Sequence, residues 1–146
     1  MQIKPGLYIV STPIGNLNDI SLRAIDTLKS SSIVFCEDTR VSQKLLEKHK
    51  INATLKVYND NSDVQTRGFI KSLITQGEVV SLISDAGTTL ISDPGYKLVR
   101  ELRNSGLHVD IIPGPSALIA ALTLSGLPTD KFYFAGFIPK TTSGKE

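Results

Sequence analysis

The sequence predicts an α/β fold, a mostly parallel five-stranded sheet flanked by helices, followed by the start of a second α/β domain. Three observations carry that expectation. Short apolar runs alternate with stretches whose apolar residues recur at helical spacing. The segments between runs are long enough for crossover helices, which imply parallel pairing. The loops after the runs are rich in small, polar and turn-forming residues. A length of 146 residues fits one domain, or one domain plus the beginning of another.

The elements follow in order. "LYIVS" (7–11) reads as a buried strand, and "ISLRAIDTLKS" (20–30) as a helix with Ile20, Ala24, Ile25 and Leu28 on one face. "SIVFCE" (32–37) is the second strand and "TRVSQKLLEKHK" (39–50) the second helix. "TLKVYN" (54–59) is a more polar strand, expected near a sheet edge. The segment 63–76 is helical, with Val64, Phe69, Ile70, Leu73 and Ile74 as its apolar stripe and Gly77 as its stop. "VVSLIS" (79–84) is the fourth strand, "GYKLVRELRNSG" (95–106) a helix closed by Gly106, and "LHVDIIP" (107–113) the fifth strand. "PSALIAALTLSG" (115–126) is a helix with a small apolar face, and "FYFAGFI" (132–138) is expected to be a last strand. The stiff turn "IIPGPSA", where Pro113 and Pro115 bracket Gly114, divides the chain into 1–113 and 114–146. The thirty or so residues beyond it are too few for a core of their own.

Composition is that of an ordinary globular protein. The net charge of +2 and pI near 8.7 permit a nucleic-acid partner without arguing for one. Arg40, Lys44, Lys48 and Lys50 form a loose basic cluster that reads equally as a solvated helix face. The single cysteine, Cys36, lies in an apolar run and reads as buried and unreactive. His49 and His108 have no neighbouring Cys or His, so no metal is expected. No signal peptide or membrane-length apolar run is visible, and a cytoplasmic location is the default.

In a parallel sheet, ligands bind beyond the carboxyl ends of the strands. The loops to read are therefore "TPIGNLND" (12–19), "EDTR" (37–40), "NDNSD" (59–63), "SDAGTTLISDPG" (84–95) and "PGPSA" (113–117). "TPIGNL" occupies the place of a dinucleotide loop but lacks the G-x-G-x-x-G pattern. Glu37 and Asp38 follow Gly15 by 22 and 23 residues, where a ribose-binding carboxylate would stand. No phosphate-binding P-loop is present, since "TTSGKE" lacks the earlier glycine. "EDTR" reads either as a helix start capped by Asp38 or Thr39, or as a charged cluster facing a substrate. In "SDPG", Ser92 or Asp93 caps the next helix and Pro94 is its first residue. "SDAGTT" needs its own reason: Asp85 favours a positive charge, and Gly87 lets backbone come close to a ligand.

"TPIGNL", "EDTR", "SDAGTTLISDPG", "PGPSALIAALTLSGLP" and "FYFAGFIPK", in that order, resemble the tetrapyrrole-methylase fold family. They are most similar to its branch that methylates the ribose 2′-hydroxyl of a cytidine in small-subunit (16S) ribosomal RNA. The resemblance runs from about Leu7 to Lys140. It implies S-adenosylmethionine as methyl donor, held in a cleft between two α/β domains. By motif position, Pro13, Ser84, Asp85, Ala86, Thr88, Ser116 and Ala117 would contact that donor, with Gly15 and Gly87 completing the set. Glu37, Asp38 and Arg40 would face the RNA. The branch reads "SDAGTP", whereas Thr89 stands here in place of the proline, a change that keeps hydroxyl and glycine and loses some stiffness. Family members run to about twice this length, which suggests a fragment or truncated product.

The implied reaction is in-line attack of a ribose 2′-oxygen on the sulfonium methyl, with Glu37 or Asp38 as base and Arg40 on an RNA phosphate. The implied partners are small-subunit ribosomal RNA or the assembled subunit, and a second copy in a homodimer. Two alternatives stay open. One is a methylase of a tetrapyrrole or other small molecule. The other is a non-catalytic binding module that pairs its small-residue helix, 116–126, with a partner.

Overall fold

The computed structural model describes residues 2–58, 64–90 and 95–140. Five strands form one sheet: β1 (Gly6–Val10), β2 (Ile33–Cys36), β3 (Thr54–Val57), β4 (Val79–Leu82) and β5 (Val109–Ile112). Their order is β3-β2-β4-β1-β5, and every neighbouring pair is parallel. The register sets Leu7 beside Val80 and Val109, and Ile33 beside Thr54 and Val80.

The run "GLYIV" is continuous rather than alternating because β1 is covered on both faces. Leu7 and Ile9 join Phe35, Val80, Leu82, Ile70, Ile74, Leu98 and Leu102 on one side. Tyr8 and Val10 join Val34, Cys36, Leu28, Leu46 and Ile112 on the other. Helices α3 (Val64–Thr75) and α4 (Tyr96–Asn104) cover the first face. Helices α1 (Leu22–Ser30) and α2 (Thr39–Lys48) cover the second. The only polar side chain on central β4, Ser81, is buried and shares a 2.7 Å hydrogen bond with Ser31. β3 is an edge strand with Thr54, Lys56 and Val57 exposed, as its polar composition predicts.

Local chemistry sets most of the ends. Ser21 Oγ accepts from Ala24 N–H at 3.0 Å to open α1, and Asp38 caps α2. Gly77 (φ +95°) and Gly106 (φ +72°) stop α3 and α4 in the left-handed region.

Two expectations are corrected. Helix α4 opens at Tyr96 with Gly95 in the cap position, two residues later than the start predicted at Pro94. Gly95 sits at φ +125°, with Leu82 and Leu90 side-chain carbons 2.8 and 2.9 Å from where a Cβ would stand. Only glycine fits there. Ser92 to Pro94, like the loop 59–63, lie outside the described residues. The second correction concerns "FYFAGFI": residues 132–138 form no strand. Tyr133 and Phe137 are 89% and 84% exposed, and a strand-like pattern without a neighbouring ladder has nothing to pair with. Helix α5 (Ala117–Leu124) forms where expected but buries none of its residues.

Among the described residues no helix is long and apolar enough to cross a membrane.

Candidate functional site

The topology itself locates a crevice. β1 and β4 are neighbours, yet the chain leaves β1 for α1 on one face of the sheet and leaves β4 for α4 on the other. Connections that diverge from adjacent parallel strands leave a gap at the carboxyl ends, and ligands bind in such gaps. Here the gap is bounded by the loops after β1, β4 and β5, which are neighbours in the sheet.

Those loops are tied together before any ligand arrives. Thr12 N–H donates to Gly87 O and Gly87 N–H to Thr12 O, each at 3.0 Å, a two-bond bridge across the β1 and β4 loops. Gly87 holds φ +80°, a conformation that disfavours any side chain. A Cβ there would stand 3.3 Å from Ile14 Cγ2 and 3.6 Å from Pro115 O, so glycine keeps the crevice open. A hydroxyl relay adds the third loop: Ser11 and Thr88 share a 3.0 Å bond, and Thr88 Oγ1 donates to Pro115 O at 3.2 Å. Gly114 packs directly on Ser11, with only 2.8 Å from its ideal Cβ position to Ser11 Cβ.

The result is a cavity of about 280 Å³ lined by Ile14, Ala86, Gly87, Thr88, Ser116, Ala117, Leu118 and Phe134. It joins five of the nine predicted donor contacts, Ala86, Gly87, Thr88, Ser116 and Ala117, in one place. Ser116 also caps α5, accepting from Ile119 N–H at 3.5 Å. The other predicted contacts, Pro13, Gly15, Ser84 and Asp85, lie beside this cavity's lining. Ser84 is buried and donates to Ala86 O at 3.0 Å, shaping the turn. Pro13 is buried and Gly15 exposed, flanking the lining residue Ile14. Asp85 is exposed, and its carboxylate accepts from Asp38 N–H at 3.2 Å.

That last bond connects the crevice to the acidic cluster. Asp38 accepts from Arg40 at three positions, the backbone N–H and the Nε and Nη2 groups, at 2.8 to 3.1 Å. The guanidinium beside it holds its carboxyl down at about 2. Asp38 is therefore both helix cap and Arg40 partner, and it is a weak proton acceptor at neutral pH. Glu37 is half-buried at the end of β2. Burial pushes the Cys36 thiol up, which keeps it inert.

Ile14, Leu118, Phe134 and Ser11 escaped the sequence reading. Phe134 sits in the run taken for a strand, and Ser11 in the last position of one. A second cavity of about 460 Å³, between Asn18–Ser21 and Pro115–Ala120, shares Ile14 and Ser116 with the first. A larger cavity, about 610 Å³ and lined by Lys4, Arg103 and His108 among others, lies at the opposite ends of the strands, away from the diverging loops.

Residues 6–146 match the family described as tetrapyrrole (corrin/porphyrin) methylases. The chain belongs to the tetrapyrrole methylase family. Within that family it is 64% identical, over its whole length, to ribosomal RNA small subunit methyltransferase I of Rickettsia prowazekii (strain Madrid E), of which it covers 52%. It is 46% identical over 92% of its length to the protein of that name from Thermotoga maritima, covering 60% of it. With the protein of that name from Escherichia coli O157:H7 it shares 45% identity over 95% of its length, covering 49%. The chain thus spans about half the length of the curated relatives it matches. Its fold is similar to that of the uroporphyrin-III-C-methyltransferase of Thermus thermophilus (TM-score 0.62, 21% identity, 85% of this chain and 54% of that one). It is similar also to that of a cobalt precorrin-4 methyltransferase (TM-score 0.64, 22% identity, 80% and 48%). The five parallel strands and flanking helices are the family's architecture in this chain.

Proposed function

We propose that this chain is an S-adenosylmethionine-dependent methyltransferase of the ribose 2′-hydroxyl of a cytidine in small-subunit (16S) ribosomal RNA. The observation that carries the reading is the cavity at the diverging ends of β1 and β4, where Ala86, Gly87, Thr88, Ser116 and Ala117 meet. The names of the relatives, ribosomal RNA small subunit methyltransferases, support the RNA substrate. A cytoplasmic setting follows from that substrate; a division of the chain after Pro113 rests on the stiff turn "IIPGPSA".

The cavity fits part of such a donor. Ile14, Leu118 and Phe134 offer apolar surface, Thr88 and Ser116 offer hydroxyls, and Gly87 leaves room that a Cβ would fill. Sites for small molecules have this mix of apolar walls and a few placed polar groups. S-adenosylmethionine supplies an activated methyl group when bound. The protein's own part is to position and to manage one proton. Pro13 and Gly15 set the course of the loop that presents Ile14, Ser84 shapes the turn, and Asp85 stations the "EDTR" cluster through the Asp38 N–H. Glu37 is the base for the ribose hydroxyl, because Asp38 is committed to Arg40. Arg40, its side chain 88% exposed, meets an RNA phosphate.

The test is transfer of labelled methyl from S-adenosylmethionine into purified small subunits, followed by digestion of the RNA to nucleosides. Label in 2′-O-methylcytidine is expected. Label in a base, or transfer only to a tetrapyrrole, would overturn the substrate assignment.

A second reading is favoured by the exposed α5 and the apolar residues after it: this face pairs with a second copy, as a homodimer or as a binding module without catalysis. Sedimentation at micromolar concentration decides it. A dimer is expected on this reading, and a monomer refutes it.

A further inference from the structure

Helix α2 leaves the candidate site carrying a row of cations that the donor cavity does not use. Arg40, Lys44 and Lys48 recur at every fourth residue and are exposed, while Ser42, Leu45 and Leu46 turn into the core. Four helical residues rise about 6 Å, so the row runs roughly 12 Å from Arg40 to Lys48. Its first member stands in the opening turn, two residues from Asp38, whose N–H is held by Asp85 of the crevice.

Among the described residues the two lysines make no ion pair: the pairs are Arg40–Asp38 and Arg67–Glu101. Glu47, the acidic residue nearest in sequence, accepts from the Gln43 amide instead. Lys48 is favoured by the carbonyl end of the helix, but Lys44 in the middle has no such reason to be basic. With a net charge of only +2 on the whole chain, three cations along one helix face are a local concentration.

We propose that this face of α2 is the path of the RNA backbone, with Lys44 and Lys48 binding phosphates of the strand whose nucleotide reaches the crevice. The inference rests on the RNA reading above and goes beyond it by naming the surface. Ammonium groups act as point charges on phosphates, so their part is to position the strand, not to read bases.

The experiment measures binding of a labelled single-stranded RNA oligonucleotide of mixed sequence across a salt series, with S-adenosylmethionine affinity measured alongside. In the Lys44→Gln/Lys48→Gln double variant, RNA affinity should fall roughly tenfold at low salt. The slope of log affinity against log salt should shallow by about 1.4, since each phosphate contact on a single strand contributes about 0.7. Donor affinity should not change. A charge-matched Lys71→Gln/Lys97→Gln variant, on the other face of the sheet, should behave as the native chain. Equal affinity and slope in the α2 variant, or equal loss in the control, overturns the inference while leaving the RNA reading intact. Failure of the native chain to bind any RNA overturns both, and donor binding in the same samples shows whether the methyl-donor half survives.

Discussion

At the scale of single residues, the site is defined by places where one atom more would not fit. Gly87→Ala forces a side chain into a left-handed backbone, a strain of about 1–2 kcal/mol, and narrows the crevice toward Ile14 and Pro115. Thermal unfolding and donor titration should both register it, the second more strongly. Thr89 presents the opposite case. It is buried, and its hydroxyl has no hydrogen-bond partner among the described residues. Thr89→Val keeps the shape and removes the orphaned group, so stability should rise by about 1 kcal/mol in denaturant unfolding. A loss of stability would show that the hydroxyl is satisfied after all. Asp38 gives a pH prediction. Its carboxyl should titrate at about 2 by carbon-detected NMR. Arg40→Gln should move it up toward the ordinary value of about 3.9. Because the folded value is the lower one, the stabilisation it brings is complete above about pH 4 and is lost as pH falls through the folded value. Gly87 was legible because "SDAGTT" needs a reason of its own for a glycine there, whereas Ala86 and Thr88 came only with the family resemblance of the motif. Ser11 was not, because nothing in "YIVS" distinguishes a hydroxyl that ends a strand from one that ties three loops.

At the scale of elements, the continuous runs "GLYIV" and "VVSL" announced strands covered on both faces, and the polar "TLKV" announced an edge. These were readable because burial on both faces demands apolar residues at nearly every position, with Ser81 admitted through its bond to Ser31. The order β3-β2-β4-β1-β5 was not readable, since parallel neighbours leave no local mark, and it is this order that creates the crevice. "FYFAGFI" failed as a strand for the related reason that strand character depends on a neighbour, and the residues expose their rings here. The loop after β5 should be the least forgiving connection. Gly114→Ala drives a methyl group against Ser11, and overpacking of this kind costs about 1–3 kcal/mol. Displacement of Pro115 would break its bond from Thr88, so donor binding should fall in calorimetry even where the melting temperature drops by only a few degrees.

At the scale of the whole molecule, the sheet separates two ends with different character. The carboxyl ends of the strands hold the knitted loops and their 280 Å³ cavity, and the opposite ends hold a larger basic depression at Lys4, Arg103 and His108. Size alone would choose the second. The diverging connections, the glycine that keeps space open and the convergence of three loops choose the first. The apolar residues exposed along α5 and the segment after it should bind a hydrophobic dye in the native state, and covering that face by association should abolish the signal. The most direct test of the central claim is titration of this chain with S-adenosylmethionine, followed by backbone amide NMR. The account predicts saturable binding, with shifts centred on Ile14, Ala86–Thr88, Ser116–Leu118 and Phe134. Absence of binding, or shifts centred on Lys4, Arg103 and His108, would contradict it.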